Sequence, residues 1–190
     1  NYLQLKQKLG NLNFRSNSDT EVILEGYINE GYLFFKKLEG IYSFQIVDFR
    51  NRLKIITYRD PSGIKPIYYY NDEKLFVVAS EIKAIRPYCD NFLSINEKII
   101  NAYLNLGFCP EPETAFKEIN ALEPGLMLSW ETGLIKKISI HTQKVFQSNT
   151  LSLSENIQIS NQLIDDAVES NMVSDITPVV ALSGGIDSSI

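Results

Sequence analysis

Thr177-Pro178-Val179-Val180-Ala181-Leu182 runs straight into Ser183-Gly184-Gly185-Ile186-Asp187-Ser188-Ser189. An apolar run of strand length ends at a serine, two glycines and an acid, with two more serines behind it. That punctuation predicts a buried strand entering a tight loop that opens a helix. Glycines let the backbone come close to a ligand and take left-handed angles. Amide N–H groups at a helix start point outward, unpaired and partly positive, and serine hydroxyls add donors. Such a loop is an anion cradle without a basic side chain. No lysine follows the glycines, which separates it from the GxxxxGK(S/T) phosphate loop. Asp187 would repel a bare phosphate, so it is expected to act with a magnesium ion or as the helix cap. An ordinary Gly-Gly turn between strand and helix is the plainer alternative.

Working outward from that stretch, the 190 residues allow one or two domains. Hydrophobic residues make up 44% and charged residues 22%, which suits a packed core. The net charge is −5 and no basic run occurs, so nucleic acid and membrane surfaces are poor partners. No apolar run approaches the roughly 18 residues of a membrane span, and no signal peptide stands at the front. The cysteines, Cys89 and Cys109, show neither a disulfide framework nor metal-ligand spacing. They read as small apolar filler in a cytoplasmic protein. The chain lacks an initiator methionine and stops at Ile190, one residue past the loop. It is therefore expected to be a piece of a longer protein.

From the N-terminal end, Tyr2 to Leu9 reads as a short helix followed by Gly10. Ser18 with Glu21 three places on predicts a capping box, opening a helix that stops near Gly31. From Gly40 the period changes. Ile41–Val47, Leu53–Tyr58, Ile67–Tyr70 and Leu75–Ala79 are rich in β-branched and aromatic residues and read as strands. Ser80–Ile85 is a short helix. Ser94 and Glu97 predict a second capping box, and a helix closed by Gly107. Leu126–Trp130, a turn at Glu131-Thr132-Gly133, and Leu134–Ile140 form a hairpin. Residues 141–151 read as a linker. Ser152 with Glu155 opens a last helix to about Met172, with Ile157, Leu163, Ile164, Ala167, Val168 and Met172 on its apolar face.

A composite of motifs then carries a resemblance. Ser18-Asp19-Thr20-Glu21-Val22-Ile23, Leu38-Glu39-Gly40-Ile41-Tyr42-Ser43-Phe44, Arg59-Asp60-Pro61-Ser62-Gly63-Ile64-Lys65-Pro66 and Ala79-Ser80-Glu81-Ile82-Lys83-Ala84 fall in order. Together they resemble the class II glutamine amidotransferase domain. Their spacing to the loop Ser183–Ser189 is similar to that in glutamine-hydrolysing asparagine synthetases, and the loop itself resembles that of ATP pyrophosphatases. The resemblance implies an α+β N-terminal-nucleophile sandwich, two antiparallel sheets between helix layers, over residues 1–140. After the linker 141–151 it implies the start of an α/β adenine-nucleotide-binding domain over residues 152–190. It implies a carbon–nitrogen ligase that takes glutamine, aspartate and ATP, with Mg2+. Ammonia from glutamine displaces AMP from an adenylated aspartate, giving asparagine, and the parent protein is expected to be a possible homodimer. In that family an N-terminal cysteine attacks glutamine with its own α-amino group as base. Here that cysteine would lie upstream of Asn1, so no catalytic residue is expected among these 190, and the piece alone is expected to be inert.

The resemblance places glutamine's α-amino group on Asp19, next to Ser18. An acid in the first turn of a helix is also favoured by the macrodipole alone. It places ATP against Leu182, Ser183, Gly184, Gly185, Asp187, Ser188 and Ser189. Arg59 and Asp60 read as a structural pair that fixes the loop after them. Cap chemistry would account for Ser80 and Glu81, and His141 is expected to be exposed. Tyr68-Tyr69-Tyr70 is expected to alternate between core and surface. Three rivals remain: the same architecture acting on a surface sugar or in β-lactam ring closure, a phosphoribosyl- or glucosamine-phosphate-type amidotransferase, and a truncated interaction module.

Overall fold

A computed structural model describes residues 1–10, 12–141, 150–174 and 177–189. The chain divides into two compact units, Asn1–Gln143 and Lys144–Ile190.

The first unit is built on two antiparallel sheets. The four-stranded sheet has the order β1 (Ser43–Asp48), β2 (Lys54–Arg59), β6 (Leu126–Glu131), β7 (Leu134–Ser139). The three-stranded sheet has β3 (Tyr68–Asn71) between β4 (Phe76–Ala79) and β5 (Ile119–Ala121). Register follows the buried side chains. Tyr58 of β2 lies opposite Met127 of β6, and Thr57 lies opposite Leu128. Alternation then sends Ile56, Tyr58 and Met127 to one face of the sheet and Leu128 to the other.

Each face meets a different layer. Ile46, Ile56, Tyr58 and Met127 pack under α1 (Tyr2–Lys8), α2 (Asp19–Glu30) and a 3₁₀ stretch, Gly31–Lys37. Val22, Tyr27, Phe34 and Phe35 come down onto them, and the Phe35 ring stacks 5.5 Å from Tyr58. Between the sheets lie Ile67, Tyr69, Leu122 and Leu128, with Phe76 stacked on Trp130 at 5.8 Å and 4°. Beyond the second sheet, Ile85 and Cys89 of α3 (Ile82–Cys89) cover Tyr70 and Ile119. The layers run helix, sheet, sheet, helix. Both Tyr69 and Tyr70 are consequently buried. The expected split of the tyrosine run into core and surface fails because the sheet is covered on both faces.

The segment Arg59–Pro66 carries the chain from one sheet to the other. Arg59 is 5% exposed. Its guanidinium donates to the carbonyl oxygens of Lys65 (2.9 Å), Leu122 (2.6 Å) and Gly63 (2.6 Å), and to Glu111 (2.8 Å). The buried Asp60 carboxylate accepts from the N–H groups of Ile64 and Lys65, both at 3.1 Å. Gly63 has φ +66°, and a Cβ there would lie 2.6 Å from Pro124. The pair acts structurally, as its sequence suggests, and it fixes the loop from inside.

Several local expectations are corrected. Helix α4 (Glu97–Leu106) is capped by Asn96 without a side-chain bond. Ser94 instead bonds Glu118 through its N–H (2.8 Å) and hydroxyl (2.5 Å), because β5 brings that carboxylate beside it. Glu81 caps α3 without a side-chain bond and pairs with Lys83 at 2.6 Å, so cap chemistry does not explain it. His141 is half-buried, and its Nε2 has no hydrogen-bond partner among the described residues. The expected linker 141–151 falls largely on residues 142–149, which lie outside those described.

In the second unit, α5 (Leu153–Asn171) starts with a complete capping box between Ser152 and Glu155. Its apolar residues Ile157, Leu163 and Val168 are exposed. Residues 177–182 form no strand, and Val179 is 94% exposed. A strand's hydrogen bonds come from a neighbouring strand, and no described residue pairs with this run. The short helix α6 (Ile186–Ser189) follows the loop.

Candidate functional site

The residues expected to hold glutamine sit where the chain turns into α2. Ser18 is the N-cap, and its hydroxyl accepts from the Thr20 N–H at 3.1 Å. Glu21 does not complete the predicted box. Its carboxylate reaches back over the loop and accepts from Arg15 N–H (2.7 Å), Ser16 N–H (2.7 Å) and the Ser16 hydroxyl (2.6 Å). Three charge-assisted bonds outweigh the single one a box would supply. The Arg15 N–H, foremost among those donors, holds the Glu21 carboxyl below the ordinary glutamate range.

From the other side Lys6 of α1 donates to the Ser16 carbonyl (2.7 Å) and the Asn17 side chain (3.0 Å), with its ammonium 4.9 Å above the Phe14 ring. The Ser16 hydroxyl also accepts from the Ser18 N–H at 3.2 Å. The turn 15–18 is therefore bonded from both flanks. At its end stands Asp19, exposed in the first turn of α2. One oxygen, Oδ1, accepts from the N–H (2.7 Å) and hydroxyl (3.3 Å) of Thr20 and from the Ser18 hydroxyl (3.4 Å). Oδ2 accepts from no described residue. An exposed carboxylate with one oxygen anchored and one open suits a cationic group.

Sequence reasoning named Ser18 and Asp19 and missed the three residues that shape their loop, Lys6, Ser16 and Glu21. Glu21 carried a signal, but it was read as a cap. Lys6 carried none, since its contact depends on how α1 docks.

In the second unit Ser183, Gly185, Ser188 and Ser189 come together. The Ser183 N–H donates to the Ser188 hydroxyl (3.2 Å), the two hydroxyls lie 3.0 Å apart, and the Gly185 N–H reaches the Ser183 hydroxyl (3.3 Å). Ser188 and Ser189 both donate to the Gly185 carbonyl, at 3.1 and 2.8 Å. Gly184 has φ +79° with open space beside its Cα, as a cradle for a bulky anion requires. Leu182 is exposed before the loop, and of Asp187 the backbone alone is described. The hydroxyl donors expected to meet a phosphate bond one another here, so a ligand would take over bonds that already exist. Among the described residues no group of three or more His, Cys, Asp or Glu could hold a metal ion, and Cys89 and Cys109 are both free. No described helix is long and apolar enough to cross a membrane.

Comparison with known proteins gives two family matches in sequence order. Residues 1–142 match the family described as glutamine amidotransferase domain, and residues 160–190 match the family described as asparagine synthase. A Methanocaldococcus jannaschii protein whose name carries the words asparagine synthetase (glutamine-hydrolyzing) is 34% identical over 100% of this chain and 37% of its own length. Asparagine synthetase (glutamine-hydrolyzing) 1 of Bacillus subtilis is 31% identical over 100% of this chain and 30% of its own. The chain thus spans about a third of the length of these relatives. Among solved structures, the glutamine phosphoribosylpyrophosphate amidotransferase of Bacillus subtilis, complexed with ADP and GMP, superposes with a TM-score of 0.50 at 22% identity. The match covers 74% of this chain and 27% of that one. The likeness bears on fold alone: two antiparallel sheets between helix layers, the sandwich of the N-terminal-nucleophile amidotransferases.

Proposed function

Since the chain belongs to the glutamine amidotransferase domain family, we propose that it is the amidotransferase part, with the opening of the synthetase part, of an ATP-dependent, glutamine-hydrolysing asparagine synthase. The observation that carries this reading is the order of the two matches, amidotransferase at 1–142 and asparagine synthase at 160–190, in one chain. The proposed division is an amidotransferase domain over 1–140, a linker over 141–151 and the start of the synthetase domain from 152. The protein acts in the cytoplasm as a homodimer.

Asp19 receives the α-ammonium of glutamine on its open Oδ2, with Ser18 beside it. That assignment rests on an exposed, half-anchored carboxylate at the end of a braced turn. ATP takes the loop Ser183, Gly184, Gly185, Asp187, Ser188 and Ser189, entered from Leu182. Backbone amides and hydroxyls there suit phosphate oxygens, and the open space at Gly184 leaves room for them. The loop has no basic side chain, so the phosphate charge calls for a magnesium ion, held through Asp187. When bound, magnesium supplies charge neutralisation for the polyphosphate. The amidotransferase domain releases ammonia from glutamine, and ammonia displaces AMP from adenylated aspartate.

The test is made on the full-length protein with ATP, aspartate and glutamine labelled with 15N at the side-chain amide. Labelled asparagine and one pyrophosphate per asparagine are expected. Pyrophosphate release with a sugar acid or other carboxylate but not with aspartate would assign the protein to another acceptor.

A further inference from the structure

The braced turn ahead of α2 has a role that fold stability alone does not account for. Glu21 uses both carboxylate oxygens on the turn, with bonds of 2.6–2.7 Å to Arg15 and Ser16. Ser16 passes the constraint on through its bond to the Ser18 N–H. Ser18 in turn caps α2 one residue before Asp19. Lys6 holds the opposite side of the same turn through Ser16 and Asn17. Lys6 and Glu21 are half-buried, but the turn and the bonds to it are exposed, and there hydrogen bonds and ion pairs add little to stability. What the bonds do fix is direction. A turn of four residues with three of its polar groups tied to one carboxylate cannot swing, so the first residue of α2 keeps one orientation.

We infer that Glu21, acting through Ser16, is a positioning residue that aims Asp19 at the α-ammonium of glutamine, with Lys6 as its counter-brace. This rests on the reading of Asp19 given above. It adds that selectivity for an α-amino group is set by a residue that never touches the substrate. The lowered pKa of the Glu21 carboxyl, chiefly from the Arg15 N–H, agrees with the geometry, because the brace works only in its ionised form.

The experiment measures glutaminase kinetics of the full-length protein with glutamine and with its des-amino analogue, 5-amino-5-oxopentanoic acid. Asp19→Asn, Glu21→Gln, Ser16→Ala and the double variant Asp19→Asn/Glu21→Gln are compared. Glu21→Gln keeps the size of the side chain and removes its charge. It is expected to raise KM for glutamine about tenfold, the equivalent of one weakened charge-assisted bond, while kcat at saturation falls less than about twofold, as for lost uniform binding. KM for the analogue is expected to stay put, a split that general loosening would not produce. Ser16→Ala shifts KM in the same direction by less, and serves as the arm that keeps the test open should Glu21→Gln not fold. In the double variant the penalties are expected not to add, because Glu21 acts only through Asp19. If Asp19→Asn raises KM for glutamine while Glu21→Gln and Ser16→Ala do not, the brace is overturned and the Asp19 reading stands. Should Asp19→Asn itself leave the KM for glutamine unmoved, both fall. Equal shifts for glutamine and its analogue would make the brace merely structural and also overturn the inference.

Discussion

Arg59 is the side chain on which the crossing between the two sheets turns, and its replacement by lysine is the sharpest test of that claim. Four N–H groups of its guanidinium are used, three on the backbone carbonyls of Gly63, Lys65 and Leu122 and one on Glu111. Three carbonyls and a carboxylate at 2.6–2.9 Å are partners that a guanidinium fork can meet and a single ammonium cannot. Lysine keeps the charge and buries it with at most one or two partners. Each lost bond to a charged group is worth about 1.5–3 kcal/mol, and the losses are not additive, since water and loop movement recover part of them. Breaking a buried charged cluster from one side typically costs about 3–5 kcal/mol, the figure expected for Arg59→Lys. With a urea m-value of about 2 kcal/mol/M, the midpoint of unfolding of the 190-residue chain should fall by about 1.5–2.5 M with the slope unchanged. Glu111→Gln is the internal control. That side chain is 37% exposed and leaves the three carbonyl bonds intact, so the change should cost less than about 1 kcal/mol. If Arg59→Lys costs no more than Glu111→Gln, the carbonyl bonds are not what holds the crossing.

Two further outcomes follow from other parts of the fold. Gly26 of α2 lies against Phe34, and a Cβ there would overlap the phenyl ring; Gly26→Ala should therefore destabilise by about 1–3 kcal/mol of overpacking, beating the helix-propensity gain of about 1 kcal/mol. Adding Phe34→Leu should give less than the sum of the two single losses by urea titration. Stability should also depend on pH at both ends. Asp48 is held well below the ordinary carboxylate range, chiefly by Arg50, and Asp72 is lowered, chiefly by the Lys74 N–H. Groups depressed in the folded state stabilise it above about pH 4 and lose that contribution as pH falls. Tyr27, through burial and then Asp48, and Tyr70, through Asp72, are pushed up to about 12. Their contribution is complete below about pH 10 and is lost as pH rises through 12. Unfolding midpoints across pH 2.5–12 should fall on both sides, with Asp48→Asn flattening the acid limb.

Legibility in the sequence divides by the range of the interaction responsible. Helices α2, α4 and α5 and the hairpin of β6 and β7 were all legible, because period and punctuation are local. Strand β5 was not. It has three residues, Ile119–Ala121, too few for an alternation, and exists because Tyr68, Tyr69 and Tyr70 of β3 offer it an edge. The same reach explains the capping errors. Ser18 and Ser94 each precede an acid by three residues, as Ser152 does, yet the Ser18 box lost its Glu21 to a turn upstream and Ser94 found Glu118, 24 residues on. Of the three, Ser152 kept its Glu155, and among the described residues no other acid is bonded to it.

The two candidate sites, one in each unit, differ for the same reason. Asp19 stands on a helix whose bonds are internal and whose approach is tied by Glu21 and Lys6, so its surroundings are already built. The loop Ser183–Ser189 depends on residues 177–182, whose backbone bonds must come from another strand. Helix α5 can stand with Ile157, Leu163 and Val168 exposed, since a capped helix satisfies its own backbone. An apolar run of strand length has no such recourse. Its pattern, Pro-Val-Val-Ala-Leu, is thus a statement about a partner strand. The proposed phosphate chemistry is written locally, in the serines and glycines, while the geometry that would aim it is set by pairing. The open space at Gly184 and the hydroxyls now bonded to one another are what that pairing has to work on.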